Sequence, residues 1–361
     1  MSKKVKVGIV GCGGIANFKH LPSLKKIEEV ELVAFCDIKL DRAEKTAKQF
    51  GVLNAKVCTD YRDILEDETI GVIHVLTPNS SHAEISIAAM KAGKHVMCEK
   101  PMAKNYNEAL EMLEASKETG MKLTIGYQNR FREENIYLKK ACERGDLGEI
   151  YFAKAHAVRR RAVPTWGVFL DEEAQGGGPL IDIGTHALDL TLWCMDNYKP
   201  KSVMGNIYKK LNENGDCGNC FGAWNPEEYT VEDSAFGFIT MENGATIILE
   251  SSWALNILHT GEAKTTLCGT KAGADTFNNE GLRINSDDFG KLTVLKPALG
   301  ADGVDFYEGD SAEPNDVEAR IWYDHVLYNK ELIVKPEEAL MVTRILEAIY
   351  ESAKTGNPVY F

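Results

Sequence analysis

The sequence predicts an α/β chain: an N-terminal doubly wound parallel sheet, then a C-terminal α+β domain with an open, mainly antiparallel sheet. Three observations carry this. Short β-branched runs alternate with amphipathic helical stretches through residues 1–128. A glycine-rich turn, Gly11-Cys12-Gly13-Gly14-Ile15-Ala16, stands between the first apolar run and the first helical pattern. Beyond about residue 128 the pattern changes to longer alternating strands, which sets the boundary between a domain at 1–128 and a second at 129–361.

Six strands are expected in the first domain, near residues 4–10, 31–36, 55–58, 71–76, 94–98 and 121–126, with helices between them. The first, with Val5, Val7, Ile9 and Val10, feeds directly into the glycine turn. That turn is a G-x-G-x-x-A pattern in strand–turn–helix context. Gly11 permits a tight turn, Gly13 lets the backbone approach a pyrophosphate, and Ala16 lets the helix pack on the strand with its N-terminus facing the phosphates. Gly14 and Ile15 complete the loop. The second strand ends in Asp37, at the spacing where a carboxylate binds both adenine-ribose hydroxyls and repels a 2'-phosphate. The first domain therefore reads as a Rossmann dinucleotide-binding domain that prefers NAD to NADP, with Lys39 and Arg42 as nearby opposing cations.

In the second domain a helix is expected at 133–144, and strands at 150–158, 234–241 and 245–253. A final helix at 336–352, with Leu340, Val342, Ile345 and Ile349 at helical spacing, is expected to pack back on the first domain. The segment 212–228, rich in Gly, Asn and Pro, reads as a mobile insertion. Its Cys217 and Cys220 form a C-x-x-C without a second Cys or His pair at metal spacing, so they read as two loop thiols, and no metal is expected.

Composition narrows the partners. A chain of 361 residues with 44% hydrophobic content builds about two cores. The net charge of -13, with no basic cluster beyond Arg159 to Arg161, argues against nucleic acid or an anionic membrane and for a small polar ligand. Nine scattered cysteines fit thiols in a reducing cytoplasm. The apolar run after Lys4 and Lys6 breaks at Gly8 and Gly11, too soon for an export signal, and nothing approaches the roughly 20 apolar residues of a membrane span.

In doubly wound sheets ligands lie beyond the carboxyl ends of the strands. After the fourth strand come Thr77, Pro78 and Asn79, followed by His82, polar groups placed to meet the nicotinamide ribose. After the fifth come Glu99, Lys100 and Pro101, with Glu99 and Lys100 expected among the cofactor-binding residues. An ammonium there binds or polarises a substrate oxygen, or else is simply solvated. In the second domain, Gly176, Gly177 and Gly178 precede Asp182 and His186, four residues apart and so on one helical face. The pair is either an acid/base unit or a helix-capping Asp beside a satisfied buried His.

The glycine turn, Thr77-Pro78-Asn79 with His82, Glu99-Lys100-Pro101 and the Asp182-x-x-x-His186 segment together resemble the glucose-fructose oxidoreductase, inositol dehydrogenase and rhizopine-catabolism (Gfo/Idh/MocA) family of NAD(P)-dependent dehydrogenases. The similarity runs through nearly the whole chain. It implies that Lys100, Asp182 and His186 are the catalytic set, that the Lys100-Pro101 bond is cis, that Gln128 lies near the nicotinamide, and that the protein is a dimer or tetramer. The loop 212–228 is not a general feature of the family. In the mechanism so implied, His186 takes the hydroxyl proton, Asp182 orients its imidazole, and Lys100 hydrogen-bonds the reacting oxygen. Substrate contacts are expected from His156, Arg159, Arg161 and Trp166, whose indole can cover the apolar face of a pyranose, unless these residues serve packing or solvation. The function so read is an NAD-dependent dehydrogenase acting on a ring secondary alcohol of a sugar, glycoside or cyclitol. Two alternatives stand beside it: a glycosidase using NAD for transient oxidation and elimination, and a non-catalytic NAD-binding regulator, which would have no use for an acid/base set.

Overall fold

The computed structural model of the protein describes residues 4–277, 280–299 and 313–361. Among the described residues, the chain divides into two compact units, 1–128 with 312–340 and 129–311 with 341–361.

The first unit holds a parallel sheet of β1 (Val5–Val10), β2 (Val30–Cys36), β3 (Lys56–Cys58), β4 (Ile70–Val75), β5 (His95–Cys98) and β6 (Leu123–Ile125), in the order β3-β2-β1-β4-β5-β6. Val7, Ile9, Val72, Ile73, Val75 and Val96 are almost wholly buried, as strands covered on both faces require. Strand order reverses between β1 and β4, so the ligand crevice of such a sheet lies beyond their carboxyl ends. Local signals set the helices. Asn105 accepts a hydrogen bond from Glu108 N to start Tyr106–Thr119, and Gly120, at φ 69°, ends it.

The second unit is built on a mixed sheet of β7 (Ile150–Val158), β8 (Pro200–Tyr208), β9 (Ser234–Met241), β10 (Thr246–Ser252), β11 (Gly261–Gly269), β12 (Gly273–Asp275), β13 (Arg283–Asp288), β14 (Lys291–Leu295) and β15 (Val359–Tyr360). Among the described residues its order is β14-β13-β12-β11-β7-β10-β9-β8-β15, antiparallel throughout except where β10 runs parallel to β7. The helix Thr185–Met195 covers one face and is buried from Thr185 to Cys194.

The expected docking of the final helix on the first domain is corrected in detail. The helix that joins the first unit is Pro314–Tyr328, whose Trp322 and Tyr323 enter the core with Val7, Leu21, Leu24 and Met97. Pro336–Thr355 falls to the second unit from Met341 onward. Gly205 and Gly237, register partners on β8 and β9, leave a groove that Ile349 fills; a Cβ at either glycine would stand 2.6 to 2.7 Å from its side chain. Ser352 Oγ accepts from Gly205 N at 3.0 Å. The apolar spacing defined a buried face without naming the sheet beneath it.

A buried ion pair locks the start of the second unit to its main helix. Arg130 donates from Nε and Nη2 to the Asp189 carboxylate at 3.0 and 2.6 Å, with both side chains essentially inaccessible. Removing one partner of such a pair costs about 3–5 kcal/mol, because a charge stays buried without its counter-ion. Urea unfolding of Arg130→Met should show a loss of that size, and the double variant Arg130→Met/Asp189→Leu should recover most of it.

Candidate active site

The glycine loop has the form its sequence dictates. Gly11 sits at φ +94°, and a Cβ there would meet the Leu76 carbonyl oxygen at 2.4 Å, so no other residue fits. Around Gly13 a Cβ would meet nothing within 4 Å, which leaves the backbone open to a ligand. Ile15 is partly exposed, Ala16 is fully buried, and the chain then makes one π-helical turn, Ala16–His20. Asp37 braces the loop from β2: Oδ2 accepts from Cys12 N and Oδ1 from Lys39 N, both at 2.9 Å. Each carboxylate oxygen keeps a second acceptor site, which suits ribose hydroxyls. The residues present therefore fit a dinucleotide. Arg42 is exposed on the following helix, Leu40–Phe50.

At the carboxyl end of β4, Thr77 Oγ1 accepts from Ser81 Oγ at 2.8 Å, and Asn79 is buried at the start of a short turn after Pro78. His82 is buried, with its ring nitrogens 2.8 Å from the Pro101 carbonyl and 2.9 Å from the Thr77 carbonyl, so it staples two strand-end segments together. Burial lowers its pKa, although both carbonyls favour the charged ring. The Lys100-Pro101 bond is cis.

Glu99 lies inside the unit. Its Oε1 accepts from Lys19 Nζ and meets His20 Nε2, each at 2.7 Å, and its Oε2 accepts from Lys100 N at 3.1 Å. Lys19 Nζ also reaches Glu318 Oε2 at 3.1 Å and Gln128 Oε1 at 3.2 Å. Burial alone would raise the Glu99 pKa, but Lys19 and His20 hold it well below the usual carboxylate range. Burial opposes the charge on Lys19 too, and Glu318 and Glu99 lift it above its ordinary value. His20 is pushed down by burial and by Lys19. Glu99 is thus buried in a polar cluster behind the Lys100 amide, not open to a cofactor as expected, and the half-buried Gln128 meets that cluster through Lys19.

In the second unit, Gly177 and Gly178 have no room for a side chain: a Cβ would press on the Tyr350 hydroxyl or the Glu232 carbonyl oxygen. The buried Glu232 carboxylate accepts from Gly178 N at 2.9 Å, Leu180 N at 3.1 Å and Tyr350 OH at 2.9 Å. Burial raises its pKa while those donors pull it down. It caps a π-helical turn, Leu180–Gly184, that runs into Thr185–Met195. Such turns recur at functional sites. Asp182 lies inside this turn, so it does not cap the helix; its Oδ2 accepts from the buried Trp253 Nε1 at 3.0 Å. His186 follows four residues later, buried.

The expected substrate contacts are variously engaged. His156 is buried on β7, stacked on Phe277 at 4.0 Å with Nε2 3.1 Å from Thr266 Oγ1. Arg159 forks Glu262 at 2.7 and 2.8 Å; burial opposes its charge and Glu262 raises its pKa. Arg161 donates to Asn256 Oδ1 at 2.7 Å and approaches Cys217 Sγ at 3.9 Å. Trp166 remains half exposed. Cys217 and Cys220 are free, and among the described residues no group of three His, Cys, Asp or Glu side chains could hold a metal. Lys19, Glu318, Glu232 and Trp253 escaped the sequence reading; the only local hint was a Lys19-His20 pair on an otherwise apolar turn.

A glycine loop closed by Asp37 on a doubly wound sheet, with a D-x-x-x-H turn on a mixed-sheet unit, defines a two-unit oxidoreductase that binds a nicotinamide dinucleotide. Residues 5–127 match the family model of the oxidoreductase family with an NAD-binding Rossmann fold, and residues 136–275 match the GFO/IDH/MocA C-terminal domain. The chain belongs to the Gfo/Idh/MocA oxidoreductase family. It is 37% identical to D-glucoside 3-dehydrogenase of Escherichia coli, over 99% of this chain and 98% of that one. Myo-inositol 2-dehydrogenase of Thermotoga maritima is 30% identical over 53% of this chain and 55% of its own. Among solved structures, aldose-aldose oxidoreductase from Caulobacter crescentus shares the fold at TM-score 0.80 and 24% identity, covering 99% of this chain and 100% of that one. Among the described residues no helix is long and apolar enough to cross a membrane.

The Glu99 cluster makes a pH prediction. Glu99 has a depressed folded-state pKa, so its stabilisation is complete above the unfolded value of about 4.3 and is lost as pH falls through the folded value. Urea midpoints measured from pH 7 to pH 3 should therefore fall more steeply below about pH 4.3 in the unaltered protein than in Glu99→Gln.

Proposed function

We propose that this oxidoreductase interconverts a ring secondary alcohol of a sugar, glycoside or cyclitol with the corresponding ketone, using NAD(H) in preference to NADP(H). The reading is carried by the full-length similarity to a D-glucoside 3-dehydrogenase, in a chain that holds Lys100 at a strand end and Asp182 with His186 on one helical run. The bound dinucleotide would supply hydride acceptance and donation at its nicotinamide ring. Lys100 hydrogen-bonds the reacting oxygen and lowers the cost of its developing negative charge. His186 takes the hydroxyl proton, and Asp182, steadied by Trp253, orients the imidazole and favours its cationic form. Thr77, Pro78, Asn79, His82 and Gln128 shape the nicotinamide end of the cofactor site, and Gly11 to Ala16 with Asp37 hold the pyrophosphate and adenosine.

Two features support the wider setting. All nine cysteines are free, which suits the reducing cytoplasm. Met204 and Phe238 stand exposed and paired in register on one face of the mixed sheet, and such a face supports association into dimers or tetramers.

NADH absorbance with a panel of pyranosides and inositols tests the activity; substrate hydrolysis without NADH release would overturn it. Lys100→Ala and His186→Ala should each lower turnover by about 100-fold or more, with NAD affinity nearly constant in His186→Ala. Unaltered turnover in either would remove that residue from the mechanism. Asp37→Ser should erode the preference for NAD over NADP in titrations of both cofactors, because the repulsion of a 2'-phosphate is gone.

A further inference from the structure

The loop 212–228 is clamped to the segment that leaves β7. Asn219 pairs with Val163 as a strand would: its Oδ1 accepts from Val163 N at 2.8 Å and its Nδ2 donates to Val163 O at 3.0 Å. Cys220 N donates to Arg161 O at 3.1 Å, and Thr165 Oγ1 donates to Phe221 O. Trp224, buried, donates from Nε1 to Asn212 O at 2.7 Å and closes the base of the loop.

This clamp fixes Phe221 edge-on to Trp166, with ring centres 4.7 Å apart, while the two rings remain 45% and 52% exposed. Holding two large aromatic side chains in water leaves their hydrophobic stabilisation unrealised, at about 25 cal/mol per Å² of apolar surface. The pair continues an aromatic wall that begins at the proposed acid/base residues. Trp253 donates to Asp182, Phe169 lies edge-on to Trp253 at 6.4 Å, and Trp166 lies edge-on to Phe169 at 5.7 Å. The charge of Asp182 acts on Arg159, and, two residues on, the Arg161 carbonyl accepts from the loop's Cys220 N, which puts the loop and the aspartate in one neighbourhood.

Beside Trp166 opens a cleft of about 370 Å³, rimmed by Thr165, Asp171, Glu228 and Thr230. That volume suits a small-molecule site. An apolar platform edged with carboxylates and hydroxyls matches a pyranose, which has a C–H face and a rim of hydroxyl groups. Resting on the dehydrogenase reading above, we propose that this cleft binds a second pyranose ring, so that the preferred substrate is a disaccharide whose other ring is oxidised near Asp182 and His186. The loop, which holds Phe221 against Trp166, then sets substrate choice without touching the reacting carbon.

The test compares KM and kcat for a panel of free pyranoses, their methyl and phenyl glycosides and their disaccharides, using the unaltered protein, Trp166→Ala and Trp166→Phe, with folding checked by circular dichroism. A disaccharide should bind at least about tenfold better by KM than its parent monosaccharide. Trp166→Ala should raise the disaccharide KM about tenfold more than the monosaccharide KM, and Trp166→Phe should restore part of the difference. Equal KM values for the two sugars, equal effects of Trp166→Ala on both, or a gain for phenyl glycosides alone would overturn the proposal. Should no sugar be oxidised, the dehydrogenase reading fails by itself, and calorimetric titration with the same disaccharides decides the cleft. Binding heat lost in Trp166→Ala upholds it, and no heat in the unaltered protein overturns it.

Discussion

The first unit depends on one buried ammonium. Lys19 leaves the turn that follows the glycine loop and is held between Glu99 and Glu318. An ammonium taken out of water is costly, and only close carboxylates with good geometry offset the loss. Those carboxylates come from the end of β5 and from the helix Pro314–Tyr328. One charge thus fixes three things together: the course of the chain after the glycine loop, the strand end that carries Lys100, and the packing of a helix from far along the sequence. Because Glu99 spends one oxygen on Lys19 and the other on the Lys100 amide, the loop and the candidate catalytic lysine share a single anchor.

The second unit solves a similar problem with the opposite charge. Glu232 sits beneath the glycine segment, and its three donors hold the chain where Asp182 begins a widened helical turn. In both units the segment proposed to act on a ligand runs through a π-helical turn, and in both a buried carboxylate from elsewhere steadies it. A π-turn is less stable than regular helix, so it persists where surrounding contacts over-determine it.

What the sequence disclosed follows from the range of the forces involved. The six strands of the first sheet agree with β-branched runs to within a residue or two, since alternation and the glycine turn are local signals. β7, β9 and β10 were equally legible. β8 and β11 to β15 were not: β12 has three residues, β13 and β14 carry mostly exposed or charged side chains, and Gly205 and Gly261 interrupt the apolar pattern. At the candidate site, motifs singled out the glycine loop, Asp37, Lys100, Asp182 and His186. They could not reveal that His82 bonds two carbonyls or that Glu99 and Gln128 meet Lys19, because those partners are set by tertiary packing. Glu318 and Glu232 had no local signature at all.

The return of Pro314–Tyr328 to the first sheet makes the cofactor unit discontinuous in the chain. During synthesis the six strands emerge early, yet Lys19 waits for its second carboxylate, and Val7 and Leu24 for Trp322 and Tyr323, until the whole mixed-sheet unit has left the ribosome. The N-terminal third is therefore no transferable module. A gene fusion or truncation that keeps residues 1–128 alone inherits an uncovered apolar patch and an internal ammonium that has lost one of its two carboxylates, so any workable transplant must carry the distant helix with it.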